Sequence, residues 1–309
     1  MFLRRITYIV LFLGVILLLS FKPEPADTKS MNPDQYPQDY RIVSPQIPEE
    51  MNFAGEKVPL ENFDVRERLE REFIVNTYWH SATILNLKRA NRWFPVIEKI
   101  LSENDIPDDF KFIPMVETNM DNVISVKGAT GFWQFMKPAA KKYGLEVNRI
   151  VDERYHVEKS TLAATKYLKD AYARFGSWTM AAASYNMGMN GAAEQVERQK
   201  TNNYFNLALN EETSRYIFRL LAYKEMLKDP KKYGFNIDES ELYQPYETRT
   251  IKISMEVKHW ADFAREYGIN YGTLKLFNPW LRENYLPNKN RKTYEIKLPV
   301  EGSIYVIPE

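Results

Sequence analysis

The feature that most constrains this chain is a helix that has to end, directly after an apolar run, at a glutamate followed by a glycine-containing loop. The stretch covers residues 110–131 and reads FKFIPMVETNMDNVISVKGATG. Pro107 suits a first helical position, and the two aspartates that follow it suit the first turn. Phe110, Ile113 and Val116 recur at helical spacing, which predicts that they face a core.

Glu117 follows directly on this apolar run, close to the C-terminal end of the predicted helix. Apolar neighbours and the partial negative charge of a helix C-terminus both disfavour the carboxylate anion, so both raise its pKa. A carboxyl group of that kind can donate a proton near neutral pH, as a general acid does. The alternative is an ordinary solvated glutamate at a helix end, and the helix alone leaves that alternative open.

The residues after the glutamate are typical of a ligand site. Residues 125–131 (SVKGATG) form a loop of small residues whose backbone can approach a ligand closely. Residues 132–136 (FWQFM) surround an amide with aromatic rings, and a helix of small residues ends further on in YNMG at 185–188. Apolar faces with a few amide and hydroxyl groups suit a sugar, which needs stacking and directed hydrogen bonds.

In this order the chain resembles the catalytic domain of the lytic transglycosylases, in the soluble-type and membrane-bound-D-type branch related to goose-type lysozyme. Five segments within residues 107–227 carry the resemblance: MVETNMDNVISVKGATGFWQFM, AAKKYGL, VDERYHVEKSTLAATKYLKDAYARFGSW, AAASYNMG and ETSRYIFRLLA. The family usually has serine after its catalytic glutamate. This chain has Thr118 there, so a hydroxyl group is retained.

The resemblance implies that Glu117 acts as both general acid and general base on peptidoglycan. It would protonate the oxygen between N-acetylmuramic acid and N-acetylglucosamine and then take the proton of the muramic acid C6 hydroxyl, which closes a 1,6-anhydro ring. Tyr185 and Tyr216 could instead be core aromatics. By match to the family pattern, the residues that line the sugar subsites or orient Glu117 are Ser125, Gln134, Met136, Tyr185, Asn186 and Tyr216.

Two other functions stay open at this point. A lysozyme-like muramidase would use the same Glu117 but add water, and a hydrolase needs a second carboxylate or another group that holds the water. Asp121 is expected to point into solvent if the helix ends before it. Asp152 could be a second catalytic carboxylate, but a helix cap or an ion pair with Arg154 is the favoured role. A non-catalytic wall-binding scaffold is disfavoured because Glu117 and its surroundings are present.

Composition argues against several other classes of function. The net charge is +1, there is no cysteine, and the three histidines are widely scattered. A chain that is nearly neutral has no overall field to steer it to nucleic acid. The lack of cysteine excludes disulfides and thiolate zinc sites, and no HExxH pattern is present. We therefore expect no metal, no cofactor and no nucleic-acid partner.

Residues 1–20 are typical of an export signal. Arg4 and Arg5 precede an uncharged apolar run at residues 6–19, which fits a signal peptide and is short for a full membrane span. A cleaved signal peptide and a retained membrane anchor both stay open. We expect the protein in the periplasm or cell envelope, with peptidoglycan glycan strands as its partner. Residues 21–60, rich in proline and polar residues, are predicted to be an extended or disordered linker.

The remaining chain predicts a mainly α protein with two domains. Residues 61–236 are predicted to form an all-α, lysozyme-like catalytic domain. Within it, an apolar stripe from Leu69 to Leu87 predicts one helix, and Asn91 is expected to cap the next.

Residues 244–309 are predicted to form a small α+β domain. TRTIKIS and YEIKL alternate as strands do, and two short helical patterns lie between them. This βααβ order resembles a LysM module, a peptidoglycan-binding unit, although SMEV replaces the usual Gly-Asp-Thr-Leu. A glycan binder and a purely structural appendage both stay open.

Overall fold

The structure is a computed structural model, and it describes residues 42–303. The export segment predicted at residues 1–20 lies outside the described residues, as does the first half of the predicted linker. The described residues fall into two units, residues 42–44 and residues 45–303. The first of these contains neither helix nor strand. None of the helices in the described range combines the length and the apolar character that a membrane crossing requires.

A hairpin opens the second unit, in a region where the sequence predicted a linker. Strand β1 (Asn52–Phe53) pairs antiparallel with β2 (Glu56–Lys57). The ring of Phe53 meets that of Phe110 edge-on, with centroids 5.4 Å apart. The linker prediction therefore extends too far, because apolar residues within this proline-rich stretch are buried in the core of the helical domain: Met51, Phe53, Val58 and Leu60.

The helical domain consists, within the described range, of eight α-helices joined by loops and 3₁₀ turns. Helix α6 lies at its centre, and its side chains from Thr179 to Ser184 are all buried. A helix that is apolar all round is buried rather than amphipathic, which fits the run of alanines in α6. The helices are α1 (Phe63–Tyr78), α2 (His80–Ser102), α3 (Ile113–Thr118), α4 (Lys137–Lys142), α5 (Val157–Phe175), α6 (Trp178–Met187), α7 (Met189–Gln199) and α8 (Glu211–Lys228).

The first two helices divide at a different place from the one predicted. The break lies at Trp79, with φ −87° and ψ 61°, and not near Asn91. The hydroxyl of Thr83 donates to the carbonyl of Asn76 (2.6 Å) and so satisfies an acceptor that the end of α1 leaves unpaired. Asn91 lies inside α2, where its amide donates to the Tyr243 carbonyl (3.1 Å) instead of capping a helix.

The C-terminal part has the predicted βααβ order. Strand β3 (Thr248–Ile253) pairs antiparallel with β4 (Tyr294–Pro299), and helices α9 (Trp260–Glu266) and α10 (Tyr271–Phe277) lie between them. Buried side chains from each element form a second core, which also includes Val151 and Tyr155 of the helical domain. The two domains are therefore joined by shared apolar packing as well as by the chain.

Candidate active site

Glu117 is the penultimate residue of α3, a helix of only six residues. A 3₁₀ turn at Asp108–Phe112 precedes α3, where the sequence predicted one continuous helix. Asn119 has φ 51°, and its N–H donates to the Met115 carbonyl (3.0 Å), so the helix ends directly after Glu117 and Thr118. This end agrees with the prediction and leaves the Glu117 side chain half-buried.

Tyr216 of α8 is the hydrogen-bond partner of Glu117, because its hydroxyl donates to Glu117 Oε1 at 2.7 Å. Burial raises the pKa of Glu117 above its ordinary value, and the charge of Glu212 adds to that rise. The hydrogen bond from Tyr216 and the positive charge of Arg219 act in the opposite direction. Arg219 is held beside the site by its bond to the Val116 carbonyl (2.9 Å). The result is a carboxyl group whose protonated form is favoured by burial and whose anion has a hydrogen-bond donor and a cation nearby.

Tyr216 remains a donor in this arrangement. Its side chain is 1% exposed, and burial together with the neighbouring Glu117 raises the pKa of its phenol well above the ordinary value. A phenol with a raised pKa keeps its proton, so it can donate to Glu117 across the whole neutral range.

Asn186 connects the end of α6 to the beginning of α8. Its Nδ2 donates to Glu212 Oε1 (3.0 Å), and its Oδ1 accepts from the hydroxyl of Thr213 (2.8 Å). Both ends of the amide are therefore fixed, and Asn186 holds Glu212 on the face of α8 that also carries Tyr216, one helical turn later.

Tyr185 forms the wall between α6 and the segment after the glycine loop. Its hydroxyl donates to the Trp133 carbonyl (2.7 Å), and its ring lies 6.1 Å from that of Phe135 and 5.0 Å from that of Tyr167. Burial raises the pKa of Tyr185, and Glu117 contributes to that rise as a nearby negative charge. Tyr185 is thus a core aromatic and a neighbour of Glu117 at once.

The loop at residues 125–131 is closed by its own hydrogen bonds. Ser125 N–H donates to the Ala129 carbonyl (2.8 Å), and Ala129 N–H donates back to Ser125 Oγ (3.0 Å). Gln134, with φ 47°, donates its amide to the Gly131 carbonyl at 2.8 Å. Gly131 has φ 79°, and a Cβ there would lie 2.0 Å from the Arg154 carbonyl oxygen, so only glycine fits. Ser125 and Gln134 therefore hold the loop together.

Apolar side chains just before this loop, at its tip and after it face solvent. Val126, at the tip of the loop, is fully exposed. Exposed apolar side chains in a cluster are typical of a surface that meets a ligand. The exposed members are Val123, Ile124, Val126 and Met136.

Thr118, the residue that departs from the family pattern, ties α3 to the segment after the loop. Its hydroxyl donates to the Pro114 carbonyl (2.8 Å) and lies 3.4 Å from the Phe132 carbonyl. The retained hydroxyl group thus has a structural use next to Glu117.

The structure brings the predicted site residues together in two groups. Glu117, Tyr185, Asn186 and Tyr216 meet where α3, α6 and α8 end or begin, while Ser125 and Gln134 build the adjoining loop. Met136 is exposed and occupies the position directly before α4, where its side chain makes no capping hydrogen bond.

The two aspartates considered as second carboxylates have the partners expected of structural residues. Asp121 is exposed and lies 3.0 Å from Arg89, and Asp152 is paired with Arg154 at 2.7 Å. Sequence reasoning missed Glu212 and Arg219, although their spacing from Tyr216 on one predicted helix placed all three on the same face.

Comparison with known proteins identifies the domains. Residues 94–208 match the family model of the transglycosylase SLT domain. Residues 249–302 match that of the soluble lytic transglycosylase C-terminal LysM-like domain. The chain therefore carries a transglycosylase SLT domain with a lysozyme-like helical fold, followed by a LysM-like domain.

Two curated proteins are similar to most of this chain. Both are named membrane-bound lytic murein transglycosylase D, one from Escherichia coli strain K12 and one from Escherichia coli O6:H1 strain CFT073. Each is 27% identical over 243 residues, which is 76% of this chain and 52% of the relative. The chain thus spans about half the length of the curated relatives it matches.

Proposed function

We propose that this chain is a peptidoglycan lytic transglycosylase with Glu117 as its single general acid and base. It cleaves the β-1,4 bond between N-acetylmuramic acid and N-acetylglucosamine and leaves 1,6-anhydro-N-acetylmuramic acid ends. The observation that carries the proposal is the carboxyl of Glu117, desolvated within an SLT domain and held by Tyr216 at 2.7 Å. The two relatives named as lytic murein transglycosylases support the same reaction class.

The first step of the proposed reaction uses Glu117 as an acid. Burial raises the pKa of Glu117 and so favours the protonated form that this step needs. Tyr216 donates to Oε1, which makes Oε1 an acceptor and leaves Oε2 to carry the proton. That proton passes to the bridging oxygen as the bond from this oxygen to C1 of the muramic acid breaks.

The second step uses the same group as a base. The C6 hydroxyl of the muramic acid attacks C1, and its proton passes to Glu117, which restores the acid. The hydrogen bond from Tyr216 and the positive charge of Arg219 stabilise the carboxylate between the two steps. One carboxylate suffices because the nucleophile belongs to the substrate.

The other predicted residues receive supporting roles in the proposal. Ser125 and Gln134 shape the loop that faces the sugar, and Met136 adds an apolar contact beside it. Tyr185 and Asn186 line the subsites on the side of α6, and Tyr216 orients Glu117.

For location, we propose export to the periplasm or cell envelope with glycan strands as the partner. The apolar segment at residues 6–19 either is removed or anchors the protein to the membrane, and the relatives named membrane-bound support the second outcome. The LysM-like domain would add affinity for the wall.

A muramidase is the second candidate, and Glu212 is the observation that favours it. Glu212 lies on the same face of α8 as Tyr216 and acts on Glu117 as a nearby negative charge. A hydrolase could use such a carboxylate to hold water. Against this use, Glu212 Oε1 already accepts from Asn186 at 3.0 Å.

Mass analysis of the products from purified peptidoglycan decides between the two candidates. A lytic transglycosylase releases ends that are lighter by one water than hydrolysed ends and that borohydride does not reduce. Products dominated by reducible N-acetylmuramic acid would make this chain a muramidase, and Glu117 would keep its role as the acid. No release by the pure protein, under conditions where a known lytic enzyme releases fragments, would exclude both.

A further inference from the structure

The LysM-like domain contacts residues 146–158 of the helical domain through its backbone. Asp152 N–H donates to the Trp280 carbonyl (2.9 Å), and Arg282 N–H donates to the Ile150 carbonyl (2.8 Å). Between these two bonds, Val151 and Leu281 pair as an antiparallel bridge. The helical domain and the LysM-like domain thus share a short piece of sheet, which fixes their register more strictly than side-chain packing alone.

Apolar and charged contacts surround this bridge. Val151 and Tyr155 are buried in the core of the LysM-like domain, and the guanidinium of Arg282 lies 4.0 Å from the ring centroid of Tyr155. Glu158 is paired with Lys297 and with His156, and these partners hold the pKa of Glu158 at about 2 despite its burial. The contact is therefore a built interface and not a flexible tether.

The bridged segment also carries a buried ion pair. Arg154 Nε and Nη2 donate to the two carboxylate oxygens of Asp152 at 2.9 and 2.7 Å. The side chains of Arg154 and Asp152 are 11% and 10% exposed. The backbone N–H of this same Asp152 is bonded to the LysM-like domain, so the domain and the ion pair hold one residue from two sides.

The third nitrogen of Arg154 reaches the site. Nη1 donates to the Gly128 carbonyl (3.0 Å) and to the Phe135 carbonyl (3.1 Å). These two carbonyls lie on either side of Gly131, which itself packs against the Arg154 backbone. One guanidinium therefore connects both halves of the turn that carries Ser125 and Gln134.

We propose that Arg154 is a positioning residue for the site and that the LysM-like domain holds Arg154 in place. The domain then belongs to the catalytic unit, in addition to any affinity it has for glycan. The kinetic effects expected from this inference rest on the proposed function. The path runs from Trp280 and Leu281 through Asp152 and Arg154 to the carbonyls of the loop.

The loop is joined in turn to the residues around Glu117. The Phe132 carbonyl lies 3.4 Å from the hydroxyl of Thr118, and the Trp133 carbonyl accepts from Tyr185 at 2.7 Å. A shift of the loop therefore moves the wall that faces Glu117. Since a lysine has a single nitrogen, it cannot bind the two carboxylate oxygens and the two carbonyls together, so arginine is required at position 154.

The first test compares Arg154→Lys with the wild-type full chain. Amide hydrogen exchange is expected to rise at residues 123–135 and to stay unchanged in α8. With soluble glycan fragments, kcat/KM is expected to fall about tenfold or more, mainly through KM, because a displaced loop misplaces the substrate. A variant that only folds less well has fewer active molecules, which lowers the apparent kcat but leaves KM unchanged.

Arg149→Lys is the matched control. Arg149 also contacts the LysM-like domain, through the Tyr285 hydroxyl (2.6 Å) and Glu283 (3.6 Å), but it is exposed at the rim of the interface. This control is expected to leave loop exchange and KM as in the wild type. Unchanged loop exchange and unchanged KM in folded Arg154→Lys would overturn the proposal and leave the ion pair a purely structural one.

The second test changes a residue of the LysM-like domain, with the substitution Leu281→Ala. Leu281 is far from the loop in the sequence. The expected result is again faster exchange at residues 123–135, with a raised KM. If Arg154→Lys does not fold, the Leu281→Ala variant tests the proposal by itself. Normal hydrogen exchange in the loop of this variant would show that the LysM-like domain does not hold Arg154. The exchange measurement needs no substrate, so it stays informative even if the protein proves to have no transglycosylase activity.

Discussion

Glu117 and Tyr216 stand 99 positions apart in the chain, yet the hydroxyl of Tyr216 lies 2.7 Å from Glu117 Oε1. This bond joins the end of the short helix α3 to the long helix α8, the last α-helix of the helical domain. It fixes one carboxylate oxygen as an acceptor and leaves the other to carry the proton in the proposed reaction. The pH dependence of the proposed reaction follows from this pair and its charged neighbours.

Glu117→Gln tests the acid directly. The amide keeps the shape and the hydrogen bond from Tyr216 but has no proton to transfer, so turnover is expected to fall by at least about a hundredfold. Release of soluble fragments from peptidoglycan measures the loss, and binding to the wall is expected to be retained. Glu211→Gln, an exposed position at the start of α8, is the control and should behave as the wild type. A near-normal rate in Glu117→Gln would place the acid elsewhere.

The same substitution is expected to stabilise the fold at neutral pH. The pKa of Glu117 is raised in the folded state, so stability falls as the pH increases from the unfolded-state pKa through the folded-state pKa. A neutral glutamine removes this penalty. The Tm of Glu117→Gln should therefore exceed that of the wild type at pH 7, and the difference should vanish below about pH 4, where the glutamate is protonated in both states. An equal Tm at both pH values would show that burial does not raise this pKa.

Tyr216→Phe removes the donor and keeps the ring. Since the hydrogen bond from Tyr216 lowers the pKa of Glu117, its loss should raise that pKa further. The rate falls as Glu117 loses its proton, so the alkaline limb of the pH–rate profile should move to higher pH. Turnover should also fall by about a hundredfold, as for other lost donors at a charge that develops during the reaction.

Tyr223→Phe is the control for this shift. Tyr223 lies on the same helix and accepts from Asn86 at 2.8 Å, so its loss affects stability but not the alkaline limb. A limb that stays in place in Tyr216→Phe would mean that the bond to Glu117 does not persist in solution.

Glu212→Gln separates the two candidate reactions. The amide oxygen can still accept from Asn186, while the negative charge that raises the pKa of Glu117 is lost. The alkaline limb should therefore move to lower pH, opposite to the shift in Tyr216→Phe. A transglycosylase keeps its maximal rate in this variant. A loss of about a hundredfold at the pH optimum would instead indicate a carboxylate that activates water.

Gly131→Ala tests the contact between the loop and Arg154. The new Cβ would lie 2.0 Å from the Arg154 carbonyl oxygen at a φ of 79°, so we expect about 2–4 kcal/mol of destabilisation in denaturant unfolding. Gly128→Ala is the matched control, because its φ is 86° but no atom lies within 4 Å of the added Cβ. That control should cost about 1–2 kcal/mol, the strain of the left-handed conformation alone. Equal costs would show that the loop can move away from Arg154.

Several features could be predicted because they depend on neighbours in the chain. The end of α3 follows from an apolar run that stops before residues able to turn, and the Asp152–Arg154 pair joins side chains two positions apart. The βααβ order follows from the change of apolar period from two to three or four. In each of these cases the residues that decide the structure lie within a few positions of one another.

Two features could not be predicted from neighbouring residues: the break at Trp79 and the burial of residues 51–60, which include the hairpin. The apolar stripe continues from α1 into α2 at the same spacing, so the sequence pattern contains no sign that the helix divides. The hairpin is folded because Phe53 packs against Phe110 and the core of the helical domain. Its proline-rich composition by itself is typical of a linker.

The sequence by itself singled out Glu117 as the candidate acid, because an apolar run of helical spacing ends at this residue just before a glycine-containing loop. Only the tertiary structure decided what surrounds it. Tyr216, Arg219 and Glu212 reach Glu117 through the packing of α8, and Arg154 reaches the loop with the LysM-like domain behind it. Local periodicity shows which face of a helix is buried, but the partner that the face meets depends on contacts between distant parts of the chain.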